Sequence, residues 1–475
     1  MNSDPRRASE PVNDDDPVAR FFAQQRDSVE SQPATDLDWQ RILRSARTTT
    51  RRRSHVTIIA SAAVAIVALF AIWSWQQPTK QTGVDTTVPA ATGQPRLGSG
   101  PATAPNSTAT QQPFAVPKSF TTWSVSYAAQ NTLYALGAQT CSSDGTCPVL
   151  LRSGTDGQTW SAVHTFEGTD VSSATGQTVP SIQPSGAATQ VRFATATTGY
   201  VFGGGLWVTH DGGASFTQMQ HPGDIVLDVE IWQGQIMVLS ASGCTQGVCS
   251  GPVYVSKISA QSNNDTDMVA TTSPSSAISA GRIVVQNNQT YVELTSSGSA
   301  ASPSAMRLVG GNLVPLTGPS SCASTPIQAL TPATNISALV LYGLCDERVS
   351  GADATYTVVR STDDGQTWTT VSTSALTLPN LGQVWLAAAD EKHVVAATGG
   401  QPAGSASTAT GSGNVLVSGD GGGSFAPAAV ATPATGVNWL ASPGSRIFYA
   451  FTRTNSQILV SDDYGQTWGV IDPTR

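Results

Sequence analysis

An all-β, seven-bladed β-propeller is the fold class this sequence predicts, and three observations predict it. First, a short motif, [S/T]-x-D-x-G-x-[S/T]-[W/F], recurs with starts at Ser153, Thr209, Ser361, Ser418 and Ser461, spaced 56, 152, 57 and 43 residues apart. Second, the long gap is close to three periods and contains two further strand sets, DVEIWQGQIMVLSASGC…GPVYVSKI and AISAGRIVVQNNQTYVEL…AMRLVGGNLVPL. Third, each unit reads as four strands. A first strand often carries an aromatic (Trp123, Phe193, Trp232, Trp385, Trp439), a second reads LYALG, GYVFG or IFYAF, a third enters the motif and a fourth leaves it. Seven such units average about 50 residues, with six or eight as the neighbouring counts. Four-stranded antiparallel units repeated radially leave no long exposed edge.

Taken in chain order, residues 1–55 are expected to be a cytoplasmic tail. Its first 38 residues are rich in Pro, Asp, Ser and Gln and cannot bury a core. LDWQRILRSAR follows as a short basic juxtamembrane helix that lies on anionic lipid or docks a cytoplasmic partner. Residues 56–75, VTIIASAAVAIVALFAIWSW, form an uncharged apolar run long enough to span a bilayer. Arg41, Arg44, Arg47, Arg51, Arg52 and Arg53 precede it with no acid after Asp38, which sets the N-terminus inside, and Trp73 and Trp75 suit the outer interface. A cleaved signal peptide is the rival reading, but some 55 residues are far too long for its basic leader. An uncleaved signal-anchor is therefore expected. Residues 76–117 are rich in Thr, Pro, Ala and Gln and read as an extracellular spacer reaching on the order of 100 Å. The propeller is expected over 118–475.

Composition agrees with an exported β-protein. Charged residues make up only 12 %, and the net charge of −8 argues against nucleic acid, which needs clustered Lys and Arg. All six cysteines, Cys141, Cys147, Cys244, Cys249, Cys322 and Cys345, follow the apolar run, as disulfides outside the cytoplasm require. Zinc is the alternative, but the short spacings lack neighbouring His partners. The first two pairs fall in loops between second and third strands. Cys322 falls in an inter-blade link, and Cys345 ends a second strand.

The motif itself is explained by turn chemistry. Glycine permits the tight turn between strands three and four. The Asp carboxylate and flanking hydroxyls take up N–H groups that the turn leaves unpaired, and the closing ring folds onto the hairpin. The residues in these roles are Asp156 with Trp160, Asp211 with Phe216, Asp363 with Trp368, Asp420 with Phe425, and Asp463 with Trp468. The first copy departs from the pattern, with Thr155 where the Asp belongs. A calcium loop would need a late bidentate Glu, and none follows any copy, so no metal and no cofactor is expected. These repeats resemble the Asp-boxes, or BNR repeats, of the sialidase-like propeller superfamily. The resemblance covers the exported domain and implies the propeller fold. It leaves function open, because sialidases, some endoglucanases, sortilin-type receptors and photosystem assembly factors share the repeat.

Sialidase chemistry would imply an arginine cluster, a Tyr–Glu nucleophile pair and an R-I-P motif, and no R-I-P occurs. Arg192 and Arg282 are the arginines near first strands, and Arg192 is either a ligand contact or a strand-edge residue. An endoglucanase-like acid pair would be Asp228 and Glu230 in LDVEIW, which point to one side of a strand; the alternative is a solvated strand face. His164, His210, His221 and His393 are dispersed and form no catalytic constellation. No catalytic residue is assigned, and the strand aromatics are read as blade-to-blade packing. Long insertions at 165–190, 259–277, 295–304, 346–354 and 398–413 fall on the face opposite the motif, where binding is expected. The expected function is a membrane-anchored, non-catalytic binding or scaffolding module for an envelope protein or glycan. A signalling protein whose tail docks a regulator such as a sigma factor, and a glycoside hydrolase, are the alternatives.

Overall fold

The computed structural model describes residues 108–475 except 130, 141–145, 168–181, 183, 246, 259–265, 287, 298–302, 323–325, 335–339, 401–414, 431–435 and 453–454. The expected tail, span and most of the spacer lie outside these residues, as does Cys141. Among the described residues, no helix is long and apolar enough to cross a membrane.

Seven antiparallel sheets follow one another along the chain. Their inner strands are Thr121–Ala129, Gln190–Phe193, Ile225–Trp232, Ile278–Gln286, Gln328–Pro332, Gly382–Ala388 and Trp439–Gly444, defining blades 1 to 7. Both strand sets read inside the 152-residue gap are blades: Ile225–Trp232, Gln235–Ala241, Val253–Ile258 and Thr266–Thr272 form blade 3, and Ile278 to Pro315 forms blade 4. Part of the insertion 259–277 is thus the fourth strand of blade 3. The insertion 346–354 is the tip of a long hairpin in blade 5, formed by Leu341–Ser350 and Asp353–Ser361.

The period of two along each strand explains the packing. In Thr132–Thr140, Leu133 and Ala135 join an apolar cluster with blade 7, whereas Tyr134 and Leu136 join one with blade 2. The same division holds around the ring, so seven apolar clusters fill the seven blade interfaces. The strand residues are hydrophobic on both faces because both faces are buried. The last interface closes the ring without exchanging a strand. The Thr122 N–H donates to the Asn455 carbonyl at 3.1 Å, Thr122 Oγ1 donates to the Ser456 carbonyl at 2.8 Å, and Tyr127 stacks on Tyr449.

The spacer expected over 76–117 ends in ordered structure. Residues 108–116 run along the outside of blades 1 and 2 as a strap, with Phe114 bridged to Ala162 and Thr108 bonded to Phe216. Cys244–Cys249 and Cys322–Cys345 are disulfides, and Cys147 is also disulfide-bonded. The Cys244–Cys249 hairpin pairs onto the inner strand of blade 4 through Ile278. Cys345 lies inside its strand, which continues five residues further, rather than ending it.

In four turns the motif is built as its chemistry predicts. In blade 5, Asp363 Oδ1 accepts from Ser361 Oγ and the Thr367 N–H, and Oδ2 accepts from Thr367 Oγ1 at 2.6 Å. Asp211, Asp420 and Asp463 repeat these bonds. Trp160, Trp368 and Trp468 donate their indole N–H to the turn glycine carbonyl. Phe216 and Phe425, having no such donor, close the hairpin by packing alone. Asp156 does not hold its turn. It occupies the left-handed position at φ 52°, and Thr155 Oγ1 takes the carboxylate's place with a single oxygen, accepting the Thr159 N–H at 2.9 Å.

The hydrogen bonds from Thr367 to Asp363, and from Ser424 to Asp420, hold these two carboxyls down to about 2. A depressed folded-state value stabilises above the ordinary carboxylate range and is lost as pH falls through it. The Asp363→Asn/Asp420→Asn double variant is therefore expected to lose stability less steeply between pH 4 and 2, by up to about two protons of slope. Urea unfolding across that range reads the difference.

Candidate functional site

The seven inner strands surround an axial cavity of about 460 Å³. Arg192, Asp228, Glu230 and Arg282 line it, together with Tyr127, Phe193, Trp232, Trp385, Trp439 and Tyr449. Four of the five first-strand aromatics therefore both pack between blades and wall the axis, which corrects their assignment to packing alone. Short inner strands bring their side chains together at the centre, where seven radial sheets converge. The cavity also includes Gln233 and Thr334, which sit beyond inner strands at turns to second strands, and Ser442 and Pro443, which sit at the end of the blade 7 inner strand next to such a turn. In an antiparallel meander those turns share a face with the motif. The site thus extends toward the face that carries the motif, rather than being confined to the long-loop face where binding is expected.

Arg192, Asp228 and Glu230 do come together. Arg192 Nη2 lies 3.9 Å from Asp228 Oδ1, and its Nε lies 3.9 Å from Glu230 Oε2. The guanidinium sits over the rings of Phe202 and Trp439, at 5.8 and 6.0 Å from their centroids. Two blades on, Arg282 lies over Trp385 at 5.8 Å, with its Nη1 3.6 Å from Glu293 Oε2. Glu293 escaped the sequence reading because it lies on a second strand. Its signal was a carboxylate inside the otherwise apolar run YVEL.

The acids divide into two roles. Asp228 is buried, with Oδ1 accepting the Val229 N–H and Oδ2 the Ile283 N–H of the next blade, both at 2.9 Å. It is not on a solvated strand face. Glu293 is also buried, and its Oε1 accepts the Leu330 N–H of blade 5 at 2.8 Å. Ser124 and Ser126 do the same between blades 1 and 2, accepting from Val191 and Phe193. Asp228 and Glu293 are therefore blade-to-blade staples that also face an arginine. Glu230 differs: its side chain is 35 % exposed, Oε1 accepts the Ile231 N–H, and Oε2 faces Arg192.

Burial pushes all three carboxyls up; Arg192 opposes this most strongly for Asp228 and Glu230, and Arg282 does so for Glu293. Trp232 Nε1 and Trp385 Nε1 are buried and have no hydrogen-bond partner, and Trp385 is only 5 % exposed. The guanidinium–carboxylate separations are longer than direct hydrogen bonds, and Arg192 Nη1 donates instead to the Val191 carbonyl at 2.9 Å. An acid–base pair for glycoside hydrolysis needs two carboxyls free to act on substrate. Here both oxygens of Asp228 are occupied by backbone donors, and Glu230 alone is open to the cavity. Among the described residues, no group of three or more His, Cys, Asp and Glu side chains could hold a metal ion.

No protein-family model matches the sequence, and no curated protein is significantly similar to it. Solved structures resemble it at low identity. Sqt1 of Saccharomyces cerevisiae is 10 % identical with a TM-score of 0.46, covering 77 % of this chain and 89 % of its own. The β-propeller domain of the trilobed protease from Pyrococcus furiosus is 8 % identical with a TM-score of 0.44, covering 76 % and 97 %. The GH74 enzyme of Niastella koreensis is 15 % identical with a TM-score of 0.33, covering 74 % and 65 %. Similarity at this level carries nothing about activity. By its own seven sheets, the chain is an all-β, seven-bladed β-propeller.

Proposed function

We propose that this chain is a membrane-anchored, extracytoplasmic member of the Asp-box, sialidase-like propellers, and that it binds rather than cleaves. Its ligand is a sugar residue of an envelope glycan, held in the axial cavity. The observation that carries this reading is the cavity's chemistry: aromatic walls beside the guanidinium groups of Arg192 and Arg282 and the partly exposed carboxylate of Glu230. Sugar rings pair apolar C–H faces with many hydroxyls, and the indoles and the Arg192, Arg282 and Glu230 groups answer both needs. Two of the three acids are already occupied as inter-blade staples, which supports a binding role over hydrolysis. The apolar run 56–75 and the cysteines confined to the part after it support display outside a membrane.

Full-length chain in detergent, applied to a glycan array and followed by calorimetry on the best ligand, tests the proposal. Trp439→Ala is expected to weaken binding by at least tenfold, and Glu230→Gln by about tenfold, with folding retained. Absence of any glycan binding at millimolar ligand, or binding indifferent to both variants, would overturn the assignment of the cavity. Release of product from the bound glycan would overturn the non-catalytic reading.

A further inference from the structure

We propose that His164 is a pH-sensitive latch for the strap formed by residues 108–116, and that its protonation frees the strap from blades 1 and 2. His164 is fully buried on the outer strand of blade 1, Ser161–Thr165. Its Nδ1 donates to the Ala214 carbonyl in the blade 2 turn at 3.2 Å, which places the lone pair of the neutral ring on Nε2. That nitrogen is buried without a hydrogen-bond partner, and the ring meets Phe166 and Phe216 edge-on at 4.8 and 5.0 Å. A second proton would therefore enter an aromatic enclosure that offers it no acceptor.

The strap is bonded to the residues around this ring. The Gln111 N–H donates to the same Ala214 carbonyl at 2.8 Å, and the Gln111 side chain both donates to and accepts from the Thr165 backbone. Phe114 exchanges two backbone bonds with Ala162, and Thr108 holds both the N–H and the carbonyl of Phe216. Much of the strap is exposed, and these are its hydrogen bonds among the described residues. Segments of that kind open at lower cost than blade strands. Opening would bring water to Nε2 and remove the penalty of charging the ring.

Few charges surround it. The strap contributes none, and strand Ser161–Thr165 has no other titratable side chain, with Glu167 exposed beyond its end. The blade 2 turn contributes exposed His210 and Asp211, the latter tied to Thr209 and Ser215. On the adjacent strand, Arg152 pairs with Tyr134. Burial lowers the His164 pKa, partly offset by the Ala214 bond and by Asp211. A lowered closed-state value means that opening takes up a proton, so falling pH favours the open strap. On the membrane-anchored reading proposed above, freeing nine residues would lengthen the tether by about 30 Å.

Hydrogen exchange on the full-length chain in detergent, read as protection factors from pH 7.5 to 5.0, tests the latch. Protection of the Thr108, Gln111 and Phe114 amides should fall more than tenfold over this range, beginning near pH 6.5, while the Leu136 amide stays constant. In His164→Gln, strap protection should be independent of pH. Constant strap protection in the wild type, or the same fall in His164→Gln, would overturn the proposal. If His164→Gln does not fold, the ring titration of His164 by NMR replaces it. A midpoint that differs from that of strap opening would then refute the latch.

Discussion

Asp228→Ala is expected to destabilise the propeller by about 3–5 kcal/mol without loss of any surface contact. The carboxylate is buried, and each of its oxygens accepts a backbone N–H, one from its own strand and one from Ile283 on the next blade. Alanine leaves both donors unpaired and Arg192 without its more deeply buried counter-charge. Asparagine would not restore the site. One of its two side-chain ends is an N–H₂ group, so one backbone N–H would face another donor. Asp228→Asn should therefore retain only part of the lost stability. Glu230→Gln, which keeps an acceptor on a partly exposed chain, should change stability little. Urea unfolding of the three variants reads this order. Equal effects of Asp228→Ala and Glu230→Gln would mean that the inner-strand carboxylate is not a staple.

How much of this was legible beforehand follows from where each signal is encoded. Blade number was legible because turn chemistry is local: a glycine, an Asp and an aromatic at fixed spacing report each hairpin, and strand patterns supply the two blades that lack them. The convergence of Arg192, Asp228 and Glu230 was partly legible, since the D-x-E pair shares a strand face and one arginine precedes it by a blade. What each acid does was not legible. Whether a carboxylate meets substrate or the N–H of Ile283 depends on a contact 55 residues away in sequence. The double role of Trp385 and Trp439 was hidden for the same reason, because a ring at a blade interface near the axis has one side in the core and one toward the cavity. The strap was missed because residues 108–116 carry no apolar period. Their partners are the outer strand of blade 1 and the blade 2 turn, not one another.

Gly465→Ala is expected to destabilise by about 2–4 kcal/mol, more than removal of any one hydrogen bond in its turn. Two costs combine. The residue has φ +86°, where a side chain is strained, and an added Cβ would lie 2.6 Å from Val395 Cγ2 on blade 6. The same relation recurs around the ring. The turn glycines 157, 213, 365 and 422 lean on Ile471, Leu150, Tyr291 and Val358, in each case a residue of the preceding blade. The motif therefore holds more than its own hairpin. Its carboxylate shapes a turn whose glycine backbone is pressed against the neighbouring sheet, so each copy locks one blade to the next. The two costs are separable. Val395→Ala in the Gly465→Ala background should return about 1 kcal/mol relative to the sum of the single changes, by relieving the overlap but not the backbone strain. Strict additivity in that double-mutant cycle would confine the motif to its own hairpin and remove its part in joining the blades.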